Sequence, residues 1–305
     1  MTPPSVAGGM TDDPDPGTEL RSRIEEPEIA ALPGVYDALS GLLAERAGFD
    51  AVFTSGFGIS ATRLGEPDLG LLTMSETLDQ VRSIVGSLSV PLVADLDTGY
   101  GNALNVRRTV EEAMDAGAAG GILEDQEWPK RCGHMEQKRV VDADEHARRI
   151  RAAADVRAER AAEFVIIGRT DAREPHGLDE ALRRGHMYAD AGADVVFVEA
   201  PRSRAELETI AGEFAVPTFA NVIEGGKTPS LPAEELDAIG FDIVVYPLSG
   251  LFAATRALQE AYGTLAADGT AGAVEAVDFD EFEAAIGAPA VRERERRYAR
   301  RPADE

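Results

Sequence analysis

At 305 residues the chain is long enough to bury one sizeable core, and its formal net charge of −25 argues against a nucleic-acid binder, which needs clustered Lys and Arg. No segment approaches the ~20 apolar residues of a membrane helix, and the N-terminus has neither a basic start nor an apolar run, so neither a membrane span nor a signal peptide is expected. Cys132 is the one cysteine, which rules out an intrachain disulfide and fits a reducing cytoplasm.

The basic residues are lopsided. Lys130, Lys138 and Lys227 are the lysines, and the other 27 basic residues are arginines. An acidic, lysine-poor surface around an ordinary core points to a halophilic, high-salt cytoplasm, where repulsion between like charges is screened.

Residues 1–28 are rich in Pro, Asp, Gly and Glu without apolar periodicity and are predicted to be a disordered acidic tail. From position 31 short apolar runs alternate with amphipathic stretches, the pattern of a parallel sheet with crossover helices. Strands are predicted at 32–36, 51–55, 92–96, 121–124, 164–169, 195–199, 218–221 and 243–247. Helices are predicted between them, at 75–87, 105–116, 144–160, 178–191 and 204–214. Ala-Gly-Ala stops follow two of these, at 116–118 and 191–193. Eight strand–helix units suit a closed (β/α)₈ barrel over residues 29–268. Residues 269–305 then form a helical extension, with helices at 278–286 and 290–299. Its composition leaves an oligomer contact and a simple surface cover equally open.

In such a barrel the C-terminal strand ends form the active site. Here they read Ser55-Gly56-Phe57-Gly58, Asp95-Leu96-Asp97, Glu124-Asp125, Arg169-Thr170-Asp171, Glu199 and Asn221. Charges converging at one apolar mouth must pair, bind a metal or bind a ligand. A salt-bridge network explains any one of them, but four adjacent strands carrying more acids than bases favour a metal. Oxygen ligands without a histidine cluster select a hard cation, Mg²⁺ or Mn²⁺. The stretch Gly56–Ala61 also fits a GxGxxA dinucleotide fingerprint, but the acid expected about 20 residues later falls in a predicted helix near Asp79, so a nucleotide site is rejected.

The most specific string is Lys130-Arg131-Cys132-Gly133-His134, in the loop after the fourth strand. Two cations beside an accessible thiol mark it as reactive, whereas an inert cysteine would have apolar neighbours. His146, His176 and His186 lie in helical or connecting segments and read as structural.

The strings PGVYDALS, TSGFG, LGEPDLG, ADLDTGYGN, GGILEDQ, KRCGH, GRTDA, VFVEA, ANVIEGGKTP and YPLSG resemble the isocitrate lyase and phosphoenolpyruvate mutase superfamily, in its short 2-methylisocitrate lyase-like branch. The resemblance covers about residues 31–265. It implies a Mg²⁺-dependent carbon–carbon lyase acting on a small carboxylate, usually tetrameric, with C-terminal helices exchanged between subunits. Asp95 and Asp97 would hold the ion, with Asp68 and Glu124 nearby. Ser55, Gly56 and Phe57 would bind the 2-oxo-acid end, with Gly133 and His134 contributing from the loop. Arg169 would clamp a carboxylate, Glu199 would position the substrate, and Asn221 would face the departing acid. Cys132 would be the proton donor.

Two positions depart from the pattern. Where bacterial methylisocitrate lyases usually read YPLSAFRAMN, the arginine is Phe252, and Arg256 one helical turn later is the candidate substitute. The second glycine of the usual SGG triplet is Phe57. The expected substrate is therefore 2-methylisocitrate-like, with a substituted malate such as 2,3-dimethylmalate as the rival and isocitrate third. An oxaloacetate decarboxylase is disfavoured because no histidine follows His186, and a phosphonate-forming mutase because of KRCGH. The reading from another class, an inactive barrel serving as a binding module, would be expected to have lost the metal acids or the thiol.

Overall fold

The computed structural model describes residues 15–133, 135–270 and 274–299. Eight parallel strands close into a barrel in sequence order, each pairing with the next and the last with the first. They are β1 (Ala30–Val35), β2 (Val52–Thr54), β3 (Leu92–Asp95), β4 (Gly120–Glu124), β5 (Val165–Thr170), β6 (Val195–Val198), β7 (Thr218–Asn221) and β8 (Ile243–Tyr246). All eight predicted strands are present, with ends shifted by a residue or two, as expected where strand ends merge into loops.

The helices begin with α1 (Pro16–Ile24), α2 (Ala38–Arg46), α3 (Gly56–Arg63), α4 (Met74–Val85) and α5 (Ala103–Asp115). They continue with α6 (Ala143–Arg160), α7 (Arg173–His176), α8 (Leu178–Ala191), α9 (Arg204–Glu213) and α10 (Ala233–Ile239), and end with α11 (Ser249–Asp268), α12 (Phe279–Ala285) and α13 (Ala288–Tyr298). No described helix is long and apolar enough to cross a membrane.

The disorder expected of residues 1–28 does not hold for 15–28. Asp15 caps α1 by accepting from the Gly17 amide at 2.9 Å. Leu20 and Ile24, four residues apart and so on one helix face, are both buried. They close the N-terminal end of the barrel against Ala30, Leu32, Val93, Ala119 and Val165. Two apolar residues at helical spacing outweigh a polar composition when the barrel offers an open bottom to cover. Residues 1–14 lie outside the described residues.

Inside the barrel, inward-facing residues of alternate strands form a packed plug rather than a pore. Its upper layer is aromatic: Phe219 meets Phe53 edge-on at 6.4 Å between centroids and Phe197 at 4.6 Å. These rings are the floor on which the strand-end side chains stand. After β8, α11 runs 20 residues with only Leu251 buried, leaving Phe252, Leu258, Tyr262 and Leu265 exposed.

His146 on α6 is fully buried and meets Tyr188 edge-on at 4.6 Å between ring centroids. Burial, with Arg149 adding repulsion, lowers its pKa to about 3. The ring is neutral in the folded protein and titrates near its ordinary value once unfolded. This costs nothing above pH ~6.5, but as pH falls from there toward 3 the unfolded state alone takes up the proton, and stability is lost by about 1.4 kcal/mol per pH unit. Unfolding free energies of the wild type and His146→Phe, compared between pH 7 and 4.5, are expected to diverge by that slope; parallel curves would remove His146 from the titration.

Candidate active site

Two clusters of charge meet at the C-terminal mouth, one on β2, β3 and their loops, the other on β4 to β7. In the first, the Gly56 amide donates to Asp95 Oδ2 at 3.0 Å and the Asp97 amide to Asp95 Oδ1 at 3.2 Å. Tyr100 donates its hydroxyl to Asp97 Oδ2 at 3.1 Å. The Lys130 ammonium stands 2.7 Å from both Asp68 and Asp97. A Cβ on Gly56 would come within 3.0 Å of Asp95 Oδ2 and 3.4 Å of Lys130 Nζ, so glycine there lets the acids and the ammonium converge. Asp97 itself has φ 50°, a left-handed conformation uncommon for a residue with a side chain.

In the second cluster, register does the placing. Glu124 on β4 lies directly beside Arg169 on β5. Arg169 reaches Glu124 at 3.3 Å, Glu199 at 3.1 Å and Asp171 at 2.9 Å, and its guanidinium lies 5.1 Å over the Phe197 ring. Asn221 donates to Glu199 at 3.2 Å. Burial lowers the pKa of Arg169, but Asp171, Glu199 and Glu124 outweigh it and hold the pKa well above the ordinary value. Asp171 goes the other way: burial is overridden by Arg169 and Lys138, which keep it ionised.

The loop carrying Cys132 is folded down between the clusters. Cys132, half-buried, lines the cavity with Ser55, Phe57, Asp68, Asp95, Glu124, Gly133, Arg169, Glu199 and Asn221. A Cβ on Gly133 would stand 2.4 Å from Arg169 and 2.5 Å from Glu199, so only glycine allows this approach. Gly56 and Asp97 adjoin the cavity through Asp95 and Lys130. His134 lies outside the described residues.

Three expectations change. Lys130, expected to act as a cation beside the thiol, directs its charge to Asp68 and Asp97. Arg131 is exposed at the rim. Arg256 does not reach this chain's own cavity: its side chain is 75% exposed and pairs with Glu260. Phe252, on the same helix, does not line the cavity either.

The donor set fits a hard cation. Burial and the neighbouring Asp95 and Asp68 push Asp97 up to about 6 despite Lys130, and burial raises Glu124 well above the carboxylate range. Glu124 Oε1 is buried with no hydrogen-bond partner among the described residues. Acids held this close are relieved by a positive charge. Among the described residues no three such groups converge on one point.

Beneath both clusters lies a residue that the strand-end pattern named without a role. Asp125 accepts from Thr170 Oγ1 and Tyr188 Oη at 2.8 Å, from the Asp171 amide at 2.8 Å and from Arg184 at 2.9 Å. It fixes Asp171, and through Asp171 the guanidinium of Arg169. Tyr188 and Arg184 come from α8, a helix whose sequence gives no sign of facing the site.

The sequence model of the phosphoenolpyruvate phosphomutase family matches residues 20–266. The chain belongs to the phosphoenolpyruvate mutase and isocitrate lyase superfamily. It is 43% identical to 2,3-dimethylmalate lyase of Eubacterium barkeri, over 92% of this chain and 97% of that protein. It is 40% identical to 2-methylisocitrate lyase of Escherichia coli, over 84% of this chain and 86% of that protein. A solved structure of oxaloacetate acetylhydrolase with 3,3-difluorooxalacetate matches with a TM-score of 0.90 at 36% identity, covering 93% of this chain and 98% of that one. These superfamily relatives include carbon–carbon lyases and mutases, and the chain is an enzyme of that kind.

Removal of the Asp125 carboxylate leaves the hydroxyl protons of Thr170 and Tyr188 and the Asp171 amide without their acceptor, and Arg184 with Glu180 and the Val141 carbonyl alone. Asp125→Ala is expected to cost about 3–5 kcal/mol, read from urea unfolding midpoints. A loss under about 1 kcal/mol would mean that the layer beneath the site is not held by this residue.

Proposed function

We propose that the chain is a carbon–carbon lyase that splits an alkyl-substituted 2-hydroxy dicarboxylate, of the 2,3-dimethylmalate kind, into a 2-oxo acid and a monocarboxylate. The observation that carries this reading is the composition of the cavity wall. Its cations are Arg169, a Lys130 already shared by two carboxylates and Arg131, which is exposed at the rim, and the remainder includes Phe53, Phe57, Phe197, Ile223, Pro247 and Leu248. A third substrate carboxylate would need another buried cation, whereas alkyl groups gain from an apolar wall. This ranks the dicarboxylate above the 2-methylisocitrate expected first from the motif strings.

The closed loop leaves a cavity of about 40 Å³, room for a few waters only, so the loop must lift to admit substrate. The Lewis-acid chemistry belongs to a Mg²⁺ or Mn²⁺ ion, which Asp95 and Asp97 would hold with Asp68 and Glu124 nearby, polarising the 2-hydroxyl and the adjoining carboxylate. Ser55, Gly56 and Phe57 flank the end of the substrate that becomes the 2-oxo acid. As the hydroxyl proton passes to a carboxylate of the acid cluster, the C2–C3 bond breaks and C2 becomes a carbonyl. The electron pair stays on C3 and spreads into its carboxylate. Arg169, held by Asp171 and Glu199, and the Asn221 amide donate to that developing charge. Cys132 then delivers its proton to C3, and opening of the loop releases both acids.

The assembly follows the same reading. A groove of about 550 Å³ beside α2, lined by Leu39, Leu43, Phe49 and Tyr246, adjoins the start of α11, whose own apolar residues are exposed. Exchange of α11 between copies in a homotetramer would cover both surfaces.

With Mg²⁺ present, 2,3-dimethylmalate is expected to be cleaved with kcat/KM about tenfold or more above 2-methylisocitrate, followed as pyruvate release. The reverse order would return the tricarboxylate, and no 2-oxo acid from either would favour a binding module. Cys132→Ser is expected to lower kcat by about 10²–10⁴-fold while Mg²⁺ binding, measured by calorimetry, persists. Near-normal turnover would take Cys132 out of the mechanism.

A further inference from the structure

All three lysines of this arginine-rich chain bear on the segment that holds Cys132. Lys130 anchors its start to Asp68 and Asp97. Lys227, from the loop after β7, donates to the Met135 carbonyl at 3.2 Å. Lys138 donates to the Gly133 carbonyl at 2.6 Å and to Asp171 Oδ1 at 2.8 Å, with Glu174 at 3.7 Å. Its side chain is wholly buried, and so is that of Asp171. Asp171 is shared, because it also accepts from Arg169 Nε at 2.9 Å and Nη2 at 3.1 Å. One ammonium therefore joins the guanidinium that faces the substrate to the backbone one residue beyond the thiol.

Among the described residues, the carbonyl of Gly133 has this ammonium as its side-chain donor. A tetrahedral ammonium serves both acceptors from one point, whereas the planar guanidinium of arginine directs its donors differently. Gly133 lies in contact range of Arg169 and Glu199, so a small displacement of its carbonyl moves the neighbouring Cys132 relative to the cavity.

We infer that Lys138 is a positioning residue for the Cys132 thiol, bridging Asp171 and the Gly133 carbonyl so that the loop is held against the Arg169 side of the cavity. The consequence for catalysis rests on the lyase reading; the bridge itself does not. Loss of the bridge shifts the loop toward its open arrangement and leaves the site with the thiol out of line.

The test is Lys138→Met in the full chain, with two readouts. Cys132 is the sole cysteine, so its alkylation by iodoacetamide reports loop position without any substrate. The variant is expected to react about tenfold faster than the wild type while keeping its circular dichroism spectrum. Its kcat on whichever hydroxy acid the wild type cleaves is expected to fall about 10²-fold with KM little changed. Lys138→Arg, which keeps a charge opposite Asp171, is expected to accelerate alkylation as well and carries the test where the Met variant does not fold. A folded variant with wild-type alkylation overturns the bridge, and faster alkylation with unchanged kcat overturns the positioning role. A wild type that cleaves no hydroxy acid defeats the lyase reading alone, because the alkylation comparison still decides the bridge.

Discussion

Everything at the barrel mouth depends on ions that are buried and must therefore satisfy one another. Glu124, Lys138, Asp171 and Glu199 are nearly inaccessible, and Arg169 is only 8% exposed. Each such charge would cost several kcal/mol if left alone. The strand register meets that requirement: Glu124 sits beside Arg169, and Glu199 follows the β6 strand that pairs with β5. A one-residue slip would turn every one of these side chains into the wrong layer. The network therefore fixes the geometry of the site before any ligand arrives, which is the condition for stabilising a developing charge.

The two clusters divide the work by the sign of what they lack. Around Asp95 and Asp97 the acids exceed the single ammonium of Lys130, and burial raises Asp97 and Glu124 in consequence. On the proposed reading, a cation would complete that side. Around Arg169 the guanidinium is held between carboxylates yet keeps its charge, so that side receives an anion. The loop bearing Cys132 spans the boundary, tied to the first cluster through Lys130 and to the second through Lys138. The proposed lyase reaction would need its proton donor at that boundary.

The barrel was legible because its strands are short apolar runs separated by amphipathic helices, a pattern set by burial on both faces of the sheet. The site was legible where chemistry falls at strand ends, as with Asp95, Arg169 and Asn221. It was not legible where the partner arrives from a helix. Tyr188 and Arg184 look like ordinary helical positions until α8 packs against β5 and both reach Asp125. Lys138 is likewise unmarked except by being a lysine in a chain that prefers arginine. The helix α1 was hidden by composition, since two apolar residues among many polar ones matter only when a cavity exists to receive them. Arg256 falls short of this chain's own cavity, since helical periodicity gives the face of a helix but not the direction in which the whole helix leaves the barrel.

The same distinction explains why motif strings identify the reaction better than the substrate. The acids, the guanidinium and the thiol loop are constrained by one another, so their sequence is specific. The upper part of the apolar wall, above the Phe53 and Phe197 rings, is not bound in this way. Phe57 lies in α3, while Ile223 and Leu248 lie beyond the ends of β7 and β8, where a change of side chain disturbs no buried ion pair. Ile223, Leu248 and Leu251 form a small cluster of their own, separate from the barrel plug, with Phe57 packed against it. Substitutions there alter the volume and polarity offered to the substrate while leaving the charged network intact. The part of the candidate site that the buried ion pairs constrain least is thus the part that, on the proposed reading, would select between an alkyl group and a carboxylate.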